Sequence, residues 1–313
     1  MTTPNTMTTT TTANARALTR PRKVTAAPTV PRAAALALAT ATIAGDLAPL
    51  RALAVLPGGK RGGWSYHARR LLLWVESGMS TPPPFRIFAR GNSKLPFSAF
   101  SALPLVSCPG AGACASFCYS LTAWRYPAAL FRQIQNTLLL KSDQGRTIIS
   151  TAYSRLPVGP VRLYVDGDFD SVATIRFWMA LIATRPNLPV YGYSKSWVEL
   201  LAAHLGGIAW PSNYLLNLSS GSKHDDGLRQ AMQALPITRG EFNAVPIAPE
   251  HIANRAYQGP HKGGWPAYRR AVAAVTPPRT FVCRGRCGAC LPDGSHACGS
   301  ERMRGVVIAI GTH

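Results

Sequence analysis

The chain has 313 residues, with 34 Lys and Arg against 13 Asp and Glu, a formal charge of +21. That length can bury an ample core without covalent staples, which excludes a small disulfide-framework protein. The positive excess suits a polyanion, nucleic acid or another, or an anionic small molecule.

Residues 1–32 begin with a Thr-rich run and scatter Arg16, Arg20, Arg22, Lys23 and Arg32 among prolines, with no acid. Such a composition predicts a disordered basic arm. The run from Ala33 to Gly45 imitates a signal-peptide core, and an acid-free Arg-containing leader is also the pattern of a transit peptide. No twin-arginine pair precedes it, and thirteen residues cannot cross a bilayer, so no membrane association is expected. An Ala/Leu helix is predicted from Ala33 to Leu56, interrupted near Gly45 and Pro49 and ended by Pro57-Gly58-Gly59. A second helix is predicted over His67 to Gly78, and Pro82-Pro83-Pro84 reads as a stiff hinge. These segments make a helical extension over residues 33–84, ahead of a core domain over 85–280.

The first cysteines follow, at Cys108, Cys114 and Cys118, and the other four are Cys283, Cys287, Cys290 and Cys298. Seven cysteines confined to windows of 11 and 16 residues point to soft-metal sites. Three thiolates leave one position open on a four-iron cluster, whereas four can close a site; open sites react and closed ones hold structure. Thiolate sites also suit a reducing compartment, so a cytoplasmic location is expected.

Beyond Phe85, short apolar runs alternate with helical stretches, the pattern of a parallel α/β domain. A helix from Leu121 to Leu140 is expected to bend or restart at Pro127. Strands are predicted at Arg162–Asp166, Val190–Ser194, Leu215–Leu218, Ala244–Ile247 and Val306–Ile310, with a helix over Ser171 to Ala183 between the first two. Polar clusters sit just past three strand ends: Asp166-Gly167-Asp168-Phe169, Ser194-Lys195-Ser196 and Ser219-Ser220-Gly221-Ser222-Lys223. The carboxyl edge of a parallel sheet is where ligands bind. No Walker loop, nucleophile elbow or HExxH motif is present.

The order GNSKL (Gly91–Leu95), SCPGAGACASFCY (Ser107–Tyr119), YVDGDFDS (Tyr164–Ser171), YGYSKS (Tyr191–Ser196) and LNLSSGS (Leu216–Ser222) resembles the bacteriophage gene-product-88 family. That resemblance implies an origin on phages, plasmids or other mobile elements and assigns no activity. More distantly, the chain is similar to radical S-adenosylmethionine enzymes, with a three-cysteine loop after an early strand and a Gly-acid turn after the next. The spacing here is x5 and x3 where the usual loop has x3 and x2; the usual spacing occurs instead at Cys283, Cys287 and Cys290. This second resemblance implies a parallel (β/α) partial-barrel-like domain and an iron–sulfur cluster on Cys108, Cys114 and Cys118 with S-adenosylmethionine on its open iron. Gly167, Asp168 and Asp166 would meet the cofactor's amino group. Ser194, Lys195 and Ser219 would reach its carboxylate or a substrate phosphate, with Asp168 and Lys195 as the catalytic candidates.

Residues 281–313 then form a Cys-rich metal segment with the last strand, its four thiolates holding either a second iron–sulfur cluster or zinc, with His296 able to replace one of them. Two functional classes are consistent with the residues. One is a radical-type iron–sulfur enzyme acting on an anionic substrate. The other is a non-catalytic, zinc- or metal-stapled nucleic-acid-binding protein of a mobile element, using the basic arm and stretches such as Tyr268-Arg269-Arg270 and Arg284-Gly285-Arg286.

Overall fold

The computed structural model describes residues 30–57, 61–90, 95–251, 264–285, 287–288 and 290–312. The basic arm expected over residues 1–32 lies outside these except for its last three residues, as do Gly91 to Lys94 of the GNSKL motif. Among the described residues no helix is long and apolar enough to cross a membrane.

The helical pattern after residue 32 resolves into α1 (Arg32–Ile43) and α2 (Ala48–Ala54). Gly45, at φ +91°, breaks the first, and Pro49 occupies the first turn of the second, where a missing N–H costs nothing. Helix α3 (Trp64–Glu76) follows. Ala35, Leu38 and Ala39 of α1 and Ala68, Leu71 and Trp74 of α3 bury into the same apolar cluster as Phe131 and Ile134 of α4 (Pro127–Leu140). Pro127 does restart the chain: a 3-10 turn over Tyr119–Arg125 stops at Tyr126, and α4 begins with the proline at its first position.

An eight-stranded sheet forms the core. Its strands are β1 (Ala89–Arg90), β2 (Ser98–Ala99), β3 (Val161–Leu163), β4 (Val190–Ser194), β5 (Tyr214–Ser219), β6 (Thr238–Pro246), β7 (Phe281–Val282) and β8 (Ile308–Thr312). Their order is β1-β2-β3-β4-β5-β6-β8-β7, and every pair except β1-β2 is parallel. From β2 to β6 each strand therefore neighbours the next one in sequence. Helices α5 (Asp143–Ser154), α6 (Val172–Ala183), α7 (Trp197–Leu205) and α8 (Asp226–Gln233) lie between successive strands, and α9 (Gly264–Ala274) precedes β7. Side-chain oxygens of Ser142, Ser171 and Asp225 cap α5, α6 and α8 by accepting from the N–H groups of Gly145, Thr174 and Leu228.

Three strands depart from the sequence reading by two residues or more at an end. Strand β3 ends at Leu163, not Asp166, because Tyr164 turns to φ +56° and buries its ring against Phe100, Phe169 and Trp178. Strand β6 begins at Thr238, six residues before the expected start, because its inward residue is Arg239, whose charge hides the strand pattern. The last strand, expected over Val306–Ile310, runs from Ile308 to Thr312 and inserts between β6 and β7.

Strand alternation gives the sheet two distinct faces. Val161, Leu163, Val190, Tyr214, Leu216 and Leu218 join the large core with the helices. Tyr191, Tyr193 and Leu215 point the other way, into a cluster with Ala297, Cys298, Leu291 and Met303 from the C-terminal segment. That segment is tied down by Arg239, which is fully buried and donates to Asn217 Oδ1 at 2.6 Å and to the carbonyls of Met303 and Val306 at 2.8 and 2.6 Å. Asn217 in turn donates to the Cys298 carbonyl at 2.9 Å.

Helix α4 carries four fully or nearly fully buried polar residues, Gln133, Gln135, Asn136 and Thr137. Gln135 exchanges two hydrogen bonds with the backbone of Phe85, at 2.8 and 2.9 Å. Asn136 donates to the carbonyls of Ile87 and Ser101, and Thr137 accepts from Leu103 N–H. These side chains give Phe85, Ile87, Ser101 and Leu103 the backbone partners a sheet would otherwise supply. Asn136→Leu, similar in volume but without donors, would strand two buried carbonyls and should cost about 2–4 kcal/mol. Urea denaturation checks this, with exposed Thr147→Ala as a control expected within about 0.5 kcal/mol of wild type.

Candidate metal centre and strand-end site

The first cysteine loop leaves β2 and is held at both ends. At its start, Ser107 is buried, donates to the Leu103 carbonyl and accepts from Asp168 N–H at 3.3 Å. Its middle lies on the turns that follow β4 and β5. Gly110 carbonyl accepts from Lys223 N–H at 3.1 Å, while the N–H groups of Gly112 and Cys114 both donate to the Gly221 carbonyl, at 3.1 and 3.2 Å. A β-bridge joins Ala111 to Ser222. The approach is so close that a Cβ on Gly110 would stand 1.6 Å from the Lys195 carbonyl oxygen. Only glycine fits there. At the far end, Tyr119 follows Cys118 and donates its hydroxyl to the Val165 carbonyl at 2.5 Å; burial of that group pushes its pKa up to about 12, although the residue as a whole is 64% exposed.

Beneath the loop the strand-end residues singled out in the sequence come together. Asp168 Oδ1 accepts from Ser194 Oγ at 2.6 Å and from Phe169 N–H at 2.8 Å, and its Oδ2 accepts from Lys195 N–H at 2.7 Å. Burial pushes the Asp168 carboxyl above its ordinary range, and these hydrogen bonds oppose the shift. Lys195 Nζ donates to Ser219 Oγ at 2.9 Å, linking the ends of β4 and β5. Gly167 takes φ +77° with Ser107 and Ala102 pressed against its α-carbon, as the turn between the two aspartates requires. Asp166 points away, toward α4, where Oδ2 accepts from Gln133 Nε2 at 2.9 Å and Gln133 accepts from Trp124 Nε1.

Cys108 belongs to this site. Its thiol is pushed up to about 12, chiefly by burial and then by Asp168, with Lys195 opposing and Cys118 a further neighbour. A metal there must therefore displace a proton, and its binding strengthens as pH rises.

The second group of cysteines lies across the inner sheet face. Gly285 N–H donates to Cys283 Sγ at 3.3 Å and Ala297 N–H to Cys290 Sγ at 3.1 Å. Tyr193 hydroxyl meets the Cys298 sulfur, and Tyr191 hydroxyl faces Cys287. Burial pushes the Cys298 thiol up to about 12, with Cys283 and Cys287 as neighbours that add to the shift. His296 is committed to stacking, 4.5 Å from the Tyr191 ring and 5.4 Å from Phe97, and burial lowers its pKa to about 4. The segment reaches the amino ends of β3 and β4, where Gly294, His296 and Gly299 line a cleft with Pro160 and Pro189.

Within the described residues, no three His, Cys, Asp or Glu side chains are placed to hold one metal ion. The donor chemistry fits soft-metal binding all the same. In the second group Cys298 has Cys283 and Cys287 as neighbours and Cys290 has Cys287, and N–H donors directed at two of the sulfurs favour thiolate. In the first group Cys108 and Cys118 converge, and Cys114 packs on the Gly221 turn.

The sequence reading missed three residues around the site: Gln133, Tyr193 and Arg162. Arg162, on β3, places its guanidinium 4.5 Å from the centroid of the Tyr193 ring, between Tyr119 on one side and Tyr191 and Cys287 on the other. The available signal was a charged residue within the otherwise apolar run VRLYV.

Loop docking makes a direct prediction. Gly110→Ala should displace the Cys108–Cys118 loop, because the obstacle is backbone and cannot rotate aside. Limited proteolysis should then cut between residues 108 and 118, whereas Gly227→Ala, which meets nothing closer than 3.5 Å, should leave the digestion pattern unchanged.

No curated protein and no solved structure matches this chain. The profile of the family described as Gene product 88 matches residues 86–303, a span that holds all seven cysteines and every strand except β8. The chain belongs to the gene product 88 family.

Proposed function

We propose that this protein is an iron–sulfur enzyme of the radical S-adenosylmethionine type, carried by phages or plasmids and acting on an anionic substrate. The observation that carries the reading is the docking of the Cys108–Cys118 loop onto the carboxyl edge of the parallel strands, directly over Asp168, Ser194, Lys195 and Ser219. The loop follows β2, the first parallel strand, and the Asp166-Gly167-Asp168 turn follows β3, the second. Sequential parallel strands, with helices on one face and the cysteine segment on the other, also support a partial-barrel arrangement.

Cys108, Cys114 and Cys118 would hold a four-iron cluster with one iron left for an exogenous ligand, and the chemistry it supplies when loaded is one-electron reduction of the sulfonium cofactor. The chain's own residues would do the rest. Lys195 and Ser219 would donate to a carboxylate or phosphate at the strand ends. Asp168 already accepts three hydrogen bonds, so its principal task is to hold the Ser194-Lys195 turn in place; Asp166 is the aspartate with fewer partners. Cys283, Cys287, Cys290 and Cys298 would form a second, closed centre of iron–sulfur or zinc type.

A zinc-stapled nucleic-acid-binding protein is the second reading. It draws on the formal charge of +21 and on the N–H donors to Cys283 and Cys290, which serve zinc as well as iron.

Anaerobic purification separates the two. Brown protein whose reduced paramagnetic resonance spectrum changes on adding S-adenosylmethionine supports the enzyme; colourless protein containing zinc alone overturns it. Cys108→Ser should remove the first centre's iron and spare the second. Cys287→Ser should do the converse and expose the chain beyond residue 280 to protease, and loss of both centres from either variant would mean a single shared site.

A further inference from the structure

Arg162 is a cation without a counter-ion. Its Nε is buried and has no hydrogen-bond partner, and among the described residues its side chain makes no ion pair. All 13 Asp and Glu of the chain fall within the described residues, so no side-chain carboxylate of this protein neutralises it. Asp166, three residues beyond the end of the strand that carries Arg162, faces Gln133 and Arg132 on α4. Three sulfurs of the second cysteine group have partners of their own, Gly285 N–H for Cys283, Ala297 N–H for Cys290 and the Tyr193 hydroxyl for Cys298, and the fourth, Cys287, is a neighbour of Arg162. Yet the guanidinium sits over the Tyr193 ring, 4.5 Å from its centroid, in the wall of the inner face. Holding a charge there without an anion is costly.

We propose that Arg162 is the anion-recognition residue of the inner face and that it receives the carboxylate or phosphate group of a small molecule bound between the two cysteine groups. The fork of the guanidinium matches either oxyanion in a bidentate geometry, and the Tyr193 ring beside it holds the guanidinium in place. Arg162 retains some accessible surface, and the neighbouring Tyr119 is 64% exposed, so the position is open to a ligand from the side of the first cysteine loop. This assignment names the substrate contact of the proposed enzyme, but it stands on the uncompensated cation and not on the identity of the metal.

The test uses the full-length protein, purified anaerobically, with metal content measured for every sample. Inorganic phosphate and succinate are titrated separately by calorimetry at constant ionic strength. At least one should bind at a single saturable site, and Arg162→Gln should weaken it roughly tenfold or more with metal content unchanged. Arg162→Lys keeps the charge without the fork and should be several-fold weaker than wild type; it decides the matter if Arg162→Gln fails to fold. Equal affinity in the variants overturns the proposal, as does the lack of saturable binding of either anion to wild type. Loss of metal from both variants also overturns it, since Arg162 would then be the counter-ion of metal-bound thiolates. Arg162-dependent binding to a wild type that carries no iron leaves the anion site standing and removes the iron–sulfur reading.

Discussion

The buried polar face of α4 is the constraint on which the site depends. The described residues of 85–90 and 95–103 lead into the first cysteine loop, and their strands β1 and β2 are two residues each. Without Gln135, Asn136 and Thr137 their N–H and carbonyl groups would be buried and unpaired, at roughly 1–3 kcal/mol for each group. Gln133, one turn earlier on the same helix, extends the arrangement to Asp166. A single helix therefore sets both the root of the cysteine loop and the first turn of the strand-end cluster, which couples the position of the thiols to that of the acids.

The second constraint is the division of the sheet into two faces. Aliphatic side chains of β3, β4 and β5 pack on the helices, as in any parallel α/β unit. Facing the other way are Arg162, Tyr191 and Tyr193, residues with polar tips on large bodies. A face of that composition is not built to be filled by aliphatic packing. It is covered in part by the C-terminal segment, whose sulfurs meet the tyrosine hydroxyls, and the guanidinium between them remains uncompensated.

Much of this was legible in the sequence where local chemistry and tertiary role agree. Val190–Ser194 reads as a strand because its apolar and aromatic residues serve both faces, and the helix read from Ser171 to Ala183 follows its apolar spacing, with the Ser171 oxygen accepting from Thr174 N–H at its start. Asp168, Ser194, Lys195 and Ser219 could be gathered because each lies just past a strand end, and topology alone brings such ends together. Legibility failed where a residue's partner is remote. Arg239 conceals the start of β6 because the groups that justify a buried arginine are carbonyls 64 and 67 residues away. Gln133 reads as one more polar residue on a helix until Asp166 is seen beside it, and Arg162 looks like an interruption of an apolar run. Tyr164 could not be foreseen as a strand end, since its left-handed backbone is imposed by packing among Phe100, Phe169 and Trp178.

The same logic bears on how the second cysteine group is ordered. Its loop is rich in glycine and has little apolar surface, which in isolation would leave ordering to the metal. In the fold, however, the half from Ala297 to Val306 is held by Arg239 and Asn217 and packs through Ala297, Cys298 and Met303. In the half from Cys283 to Leu291, the Cys283 N–H bonds the Ala309 carbonyl, and Cys290 and Leu291 N–H groups share the Ser295 carbonyl. Protein contacts thus hold both ends of the group: Cys298 is fixed against the sheet by Asn217, and Cys283 is carried by the backbone of the last strand and packs with Cys290 on the same cluster as Cys298.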